Sequence, residues 1–71
     1  MRRTPVASAS IASLGYDAAR AVLEVEFTGG GVYRYLDVPP GVVETLLDAR
    51  SLGRTFNRWV RDRYDCERVD S

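Results

Sequence analysis

The fold of this chain is decided by residues 22–39, which read VLEVEFTGGGVYRYLDVP. In the first part, apolar residues alternate with glutamates, as they do along a strand that buries one face. A run of three glycines then permits a tight reversal, because glycine adopts positive φ at little cost. Tyr33 and Tyr35 share a face of the returning segment, and Arg34 lies on the other face. The stretch therefore predicts an antiparallel hairpin with one buried face.

Two flanking segments extend this hairpin into a small domain. Residues 10–16 favour a first strand, and the proline pair at 39–40 ends the sheet because proline cannot donate to a ladder. We therefore expect residues 10–65 to form a single domain. The segments outside it, residues 1–9 and residues 66–71, are expected to be a flexible N-terminal arm and a short C-terminal tail.

Helical periodicity replaces alternation after the prolines. A first helix is expected from about Pro40 to Ala49, and a second begins after Ser51 as its N-cap. An apolar residue recurs every four positions in the second helix, and Trp59 widens this stripe. The stripe consists of Leu52, Phe56, Val60 and Tyr64. The chain is therefore predicted to be α+β, with a three-stranded antiparallel β-meander followed by two C-terminal helices packed on one face. The expected core comprises Leu23, Val25, Phe27, Tyr33, Tyr35, Val43, Leu46, Phe56 and Val60.

Composition limits the chain further. Its 71 residues are enough for one core, and Cys66 alone cannot form an internal disulfide. A cytoplasmic location without membrane association is therefore expected, since no apolar run approaches the length of a membrane span. Ten arginines balance ten acidic residues, but residues 50–69 carry a net charge of +3. Any electropositive surface is expected in this segment.

The candidate binding surface lies on the second helix. Four polar residues recur there at positions i, i+3, i+4 and i+7, so they line one helical face. We call this set the arginine ridge; it consists of Arg54, Asn57, Arg58 and Arg61. Guanidinium groups suit bidentate contact with phosphate, although a charged stripe of this kind is also an ordinary solvated helix face.

Two further pairs of residues have both a binding and a structural interpretation. Ser51 and Gly53 would present free backbone N–H groups to an anion at a helix start, or would form a tight junction between the helices. Tyr33 and Tyr35 would stack bases on an open sheet, or would pack beneath the helices, which the scarcity of other apolar surface favours. Arg34, on the opposite face, is expected to pair with a glutamate across the strands.

The chain lacks the residues that catalysis usually requires. It has no histidine and no lysine, and no nucleophile has a recognisable base partner. No cluster of histidines and cysteines is available to a metal. We therefore expect no enzyme activity, no metal and no cofactor.

Taken together, these motifs resemble the KTSC domain. The signature reads Tyr-x-Tyr-x-x-Val-Pro at 33–39 and Ala-x-Ser-x-Gly-Arg-x-Phe-Asn at 49–57. The likeness runs from about Ser10 to Tyr64. That family occurs at the C-terminus of some lysyl-tRNA synthetases and as stand-alone bacterial or phage proteins. The resemblance implies a family without an established biochemical role, for which attachment to a tRNA-handling enzyme suggests RNA binding.

Two functions from different classes remain open. The first is binding of RNA or another nucleic acid, in which the arginine ridge holds phosphates and Ser51 and Gly53 donate backbone hydrogen bonds. In this reading Tyr33 and Tyr35 would be available to bases. The alternative is a protein-interaction or self-association module, in which a sheet edge or the surface around Trp59 docks on a partner.

Overall fold

The computed structural model describes residues 3–69, which form one antiparallel sheet and two helices. Five strands lie side by side in chain order. They are β1 (Thr4–Pro5), β2 (Ile11–Asp17), β3 (Val22–Phe27), β4 (Val32–Tyr35) and β5 (Cys66–Arg68). Helix α1 spans Pro40–Leu47, and helix α2 (Leu52–Phe56) continues into a π-helical turn at Asn57–Arg61.

The α+β class is confirmed, but the three-stranded meander is wrong in its number of strands. The predicted strands are β2, β3 and β4, and one further strand extends the sheet on each side. β1 falls in the expected flexible arm, and β5 falls in the expected tail. Both are short and exposed, so neither carries the apolar alternation that would reveal a strand in the sequence. Residues 1–2 of the arm and residues 70–71 of the tail lie outside the described residues.

The central hairpin forms as predicted. β3 pairs with β4 so that Leu23 lies opposite Tyr35. The reversal between the strands requires two glycines, because φ is 104° at Gly30 and 94° at Gly31. The register places the apolar residues of β3 and the tyrosines of β4 on the same face, towards the helices.

Both helices begin where the sequence predicts. Helix α1 starts at Pro40, whose fixed φ suits a first turn, and ends at Leu47, slightly before the expected end. Helix α2 starts after Ser51, although the Ser51 side chain makes no capping hydrogen bond. A spacing of four residues drifts by about 40° per repeat on an α-helix, and the wider π-helical turn offsets this drift so that Val60 stays buried. No helix formed by residues 3–69 is long and apolar enough to cross a membrane.

The core lies between the helices and one sheet face. Phe56 joins the two layers, since its ring centroid lies 5.2 Å from that of Tyr35 and 5.6 Å from that of Phe27. Burial is confirmed for the predicted core residues Leu23, Val25, Tyr35, Val43, Leu46, Phe56 and Val60. Two predicted members, Phe27 and Tyr33, pack against this core but remain half-buried. Further buried residues are Ile11, Leu14, Val38 and Leu52.

Candidate nucleic-acid interface

The arginine ridge lies beside two depressions that share one wall. The first, which we call the groove, has a volume of about 550 Å³ and is bounded by β4, β5 and the π-helical turn. The second, which we call the serine hollow, has a volume of about 360 Å³ and lies between residues 7–10 and the start of α2. Ser10 lines both depressions. The N-terminal segment therefore contributes to the same surface as the last helix.

Aromatic side chains form the wall of the groove. They are Phe27, Tyr33, Tyr35 and Phe56. The ring centroids of Phe27 and Tyr33 lie 5.7 Å apart with an angle of 74° between the planes, an edge-to-face contact that holds both rings in place. Tyr35 is only 5% exposed, whereas Tyr33 is half-buried and keeps part of its surface open to the groove. Tyr35 is therefore a core residue, and Tyr33 is the tyrosine that a ligand could reach.

The hydroxyl of Tyr35 is held in its protonated form. Burial, together with the side-chain hydrogen bond and charge interaction with Cys66, raises the pKa of Tyr35 to about 12, and the Arg61 guanidinium opposes this shift. Cys66 is exposed and lies opposite Tyr35 in the pairing of β4 with β5. The Tyr35 side chain in the wall of the groove is thus uncharged at neutral pH.

The rim of the groove is polar. Asn57 and Arg61 lie on one side of it, and both side chains are exposed. The Asn57 amide makes no side-chain hydrogen bond within the described part of the chain, so its donors and acceptor are available to solvent or a ligand. Outside the groove, the Arg68 guanidinium lies 5.8 Å from the ring centroid of Tyr33. The rim therefore places one cation, the Asn57 amide and the Asp62 carboxylate beside an aromatic wall.

The serine hollow explains the glycine in α2. A Cβ atom added to Gly53 would lie 2.7 Å from the Oγ atom of Ser10, which is closer than real contacts permit. The hydroxyl of Ser8 accepts hydrogen bonds from the backbone N–H groups of Ser10 and Ile11, both at 3.3 Å, and so fixes the turn of this segment beside the helix. The close junction at Gly53 is therefore with the N-terminal segment and not with α1. Arg54 and Ser51 also line the hollow.

Arg58 points away from both depressions. Its guanidinium lies 6.0 Å from the ring centroid of Trp59, and that of Arg63 lies 5.6 Å from the same ring. The Arg63 Nε group also donates a hydrogen bond of 3.0 Å to the Arg58 carbonyl oxygen. Trp59 is 42% exposed, so its expected place in the apolar stripe is wrong. The indole instead lies between two cations on the outer surface of the π-helical turn.

Three arginines outside residues 50–63 have carboxylate partners. Arg34 and Arg3 both pair with Glu24, with Nε–O distances of 3.0 and 3.5 Å, and Arg20 pairs with Asp17 at 3.9 Å. The Arg34 pair confirms the expected contact across the strands. Within residues 3–69, none of the three arginines of the ridge forms a salt bridge. The positive charge of the ridge is therefore not held in an ion pair within these residues, although the Asp62 carboxylate lines the groove together with Arg61.

The structure brings some of the predicted residues together and separates others. The groove collects Tyr33, Tyr35, Asn57 and Arg61. The serine hollow collects Ser51, Gly53 and Arg54, and Arg58 stands apart beside Trp59. Sequence reasoning missed Ser10 and Arg63. Ser10 is the first residue of the expected first strand, and the only signal that it borders α2 was an unexplained helical glycine. Residues 3–69 contain no group of histidine, cysteine or carboxylate side chains arranged to hold a metal.

Comparison with known proteins gives consistent results. The family model of the KTSC domain matches residues 7–64. An uncharacterized protein from Stutzerimonas stutzeri is 55% identical over 58 residues, which cover 82% of each chain. A lysine–tRNA ligase from Nostoc punctiforme is 36% identical over 59 residues, which cover 83% of this chain but only 10% of the ligase.

A solved structure is similar along nearly the whole chain. The crystal structure of a KTSC domain protein from Yersinia pestis superposes with a TM-score of 0.95 at 35% identity, and the match covers 97% of each chain. The sequence signature, the family match and the shared fold agree with one another. This chain therefore belongs to the KTSC domain family.

Proposed function

We propose that this chain is a non-catalytic domain that binds single-stranded RNA through its arginine ridge. The observation that carries the proposal is the contrast in charge pairing. Arg3, Arg20 and Arg34 each have a carboxylate within ion-pairing distance, whereas none of the arginines in residues 50–63, which include the ridge, has one in the described part of the chain. Unpaired guanidinium groups on one side of a helix suit a row of phosphates, which accept bidentate hydrogen bonds.

The arrangement of the ridge suits a flexible strand better than a rigid duplex. Its side chains point in three directions, because Arg54 lines the serine hollow, Arg61 lines the groove and Arg58 lies against Trp59. A single strand can turn its phosphates towards each of these positions in succession. Helix α2 has only five residues, so the proposal relies on side-chain cations and not on donors at the helix start near Ser51 and Gly53.

We propose RNA and not DNA as the ligand because one similar protein is named for a transfer RNA. The lysine–tRNA ligase of Nostoc punctiforme is by its name an enzyme for a transfer RNA, and it contains a segment similar to this chain. A cytoplasmic location fits this proposal, because the exposed thiol of Cys66 would stay reduced there. The chain has no net charge, so we expect weak binding that depends strongly on salt.

The experiment is a fluorescence anisotropy titration with a labelled mixed-sequence RNA of about twelve nucleotides, at low and at high salt. The parent should bind with an affinity that falls with salt, with a slope of roughly −0.7 for each phosphate neutralised. The double variant Arg54→Glu/Arg58→Glu should lose binding while keeping the circular dichroism spectrum of the parent. Arg20→Glu, a reversal at an exposed arginine outside the ridge, is the control for charge reversal as such; it changes the net charge by two units, and the double variant changes it by four. Equal binding by the parent and the double variant would exclude the ridge.

A second candidate, self-association, has a specific observation in its favour. Leu47 at the end of α1 is 62% exposed and borders an apolar cleft that includes Val6 and Val43. Pairing through a sheet edge is less favourable, because β1 has two residues including Pro5 and β5 has three. Light scattering over a range of concentrations distinguishes the two functions. A dimer that Leu47→Ser dissociates would support self-association, and a strict monomer would exclude it.

A further inference from the structure

Phosphate binding by the ridge leaves the groove unexplained. The groove is bounded by aromatic rings that would contribute nothing to a phosphate contact, yet Asn57 and Arg61 of the ridge stand at its rim. Its volume of about 550 Å³ lies within the usual range for sites that enclose a small organic group. A second chemical group of the same ligand would account for both parts of the surface.

The chemistry of the groove selects a planar and uncharged group. Its wall is aromatic, and the rings of Phe27 and Tyr33 are fixed by their edge-to-face contact. The free Asn57 amide offers both donors and an acceptor, as the polar edge of a base requires. Tyr33, which is half-buried, can still give part of its ring to a stacking contact.

The charge at the rim selects a group that is attached to an anion. Arg61 lines the rim of the groove and belongs to the arginine ridge, so a phosphate there would lie next to whatever fills the groove. The carboxylate of Asp62 also lines the rim, which disfavours a free anion inside the groove itself. An apolar side chain of a peptide would pack against the aromatic wall of the groove, but it would leave Arg61 and the Asn57 amide without partners.

We propose that the groove binds one unstacked base of the RNA strand whose phosphates are held by the arginine ridge. The base lies against Tyr33, its polar edge faces the Asn57 amide, and its phosphate is placed near Arg61. This inference rests on the proposed function, because the ridge supplies the affinity that brings the strand to the groove. If a base lies in the groove, part of the affinity for RNA depends on the bases and not on charge.

The test compares two RNA probes of equal length and equal charge. One carries bases throughout, and the other carries abasic sites along its central part. Binding by the ridge alone gives equal dissociation constants, whereas a base in the groove makes the abasic probe weaker by about 5- to 150-fold, the range that stacking of one base supplies. The probes are titrated at one salt concentration, so the phosphate contribution is constant.

Asn57→Ala and Tyr33→Leu locate the base. Both should reduce the affinity for the base-containing probe much more than the affinity for the abasic probe, so that the ratio of the two dissociation constants falls towards one. Thr45→Ala, at an exposed position on α1, is the matched control for Asn57→Ala and should leave the ratio intact. Because Asn57 is exposed, its variant tests the site even if Tyr33→Leu is poorly folded.

The possible outcomes separate the two proposals. If neither probe binds, the RNA-binding function itself is wrong and the base site falls with it. If both probes bind equally well, the ridge stands and the base site is overturned. A preference for bases that survives both groove variants would also overturn it, since the base would then lie elsewhere, such as on Trp59. A preference that Asn57→Ala removes supports the groove.

Discussion

Arginines on the open sheet face and arginines on the helical face of this domain have opposite surroundings. On the sheet, the carboxylate of Glu24 is only 7% exposed and receives the guanidinium groups of both Arg34 and Arg3. On the helical face, Arg54 and Arg61 are exposed and, within residues 3–69, have no salt bridge. The same side chain therefore serves the fold in one place and is available to a ligand in the other.

Strand register explains why the sheet arginines are paired. Glu24 lies on the central strand, directly opposite Arg34 on one side and Gly15 on the other. No layer covers this face, so the guanidinium groups themselves shield the carboxylate from water. The π-helical turn has no such neighbour, because the nearest acidic residue of its own segment, Asp62, forms no salt bridge within the described residues.

The largest expected effect on stability comes from removing the carboxylate that pairs with the arginines of the sheet face. Glu24→Ala leaves two cations without their shared carboxylate and opens a cavity on the central strand. We expect the free energy of unfolding to fall by about 2–4 kcal/mol, a large share of the stability of so small a domain. Urea denaturation followed by circular dichroism measures the loss. The control is Glu44→Ala on α1, an exposed glutamate without a salt bridge in the described part of the chain, which should cost less than about 0.5 kcal/mol. Equal costs for the two variants would mean that the sheet pairs do not stabilise the fold.

The second-largest expected effect is a pH dependence of stability that comes from the buried hydroxyl of Tyr35. The pKa of Tyr35 is raised in the folded state to about 12, above the value of 10.0 for an unburied tyrosine. The unfolded state therefore loses this proton first, so its contribution to stability is complete below pH 10 and is lost as the pH rises towards 12. We expect the free energy of unfolding to fall by about 2 kcal/mol between pH 9 and pH 11.5. Tyr35→Phe should remove most of this dependence. If Tyr35→Phe keeps the pH profile of the parent, the dependence does not come from Tyr35 and the raised pKa of this residue is contradicted.

The sequence predicted the parts of this contrast that depend on local pattern. The hairpin of β3 and β4 was found because alternation and a glycine run act over a few residues, and the pairing of Arg34 followed from its register. The start of α2 was equally local. Each of these features is formed by residues that lie close together in the chain.

The parts that were missed depend on contacts between distant residues. β1 and β5 are strands because their backbones pair with those of neighbouring strands, while their own side chains are exposed. Ser10 meets Gly53 across the surface, a contact that no spacing along the chain could indicate. The ridge was expected to be a straight stripe, but the π-helical turn and the Trp59 ring direct its members to different places. A list of site residues could therefore be predicted, whereas their division between two depressions could not.

The smallest expected effects on stability come from replacing single arginines, and they compare the sheet face with the helical face directly. Arg34→Ala removes one of two partners from a buried carboxylate, and we expect a loss of about 1–2 kcal/mol in the free energy of unfolding. Arg61→Ala removes no salt bridge within the described residues, and its side chain is exposed. We therefore expect a change of less than about 0.5 kcal/mol in the free energy of unfolding.

The comparison is made at pH 7, where Tyr35 is protonated in both folded and unfolded states and its contact with Arg61 does not enter. Added salt should leave the difference between Arg34→Ala and its parent almost unchanged, because that pair is partly buried. Any small effect of Arg61→Ala should shrink further with salt, since interactions between exposed charges are screened. A large loss for Arg61→Ala would mean that this residue of the ridge stabilises the fold. A change below about 0.5 kcal/mol would mean that Arg61, at the rim of the groove, is not needed for folding.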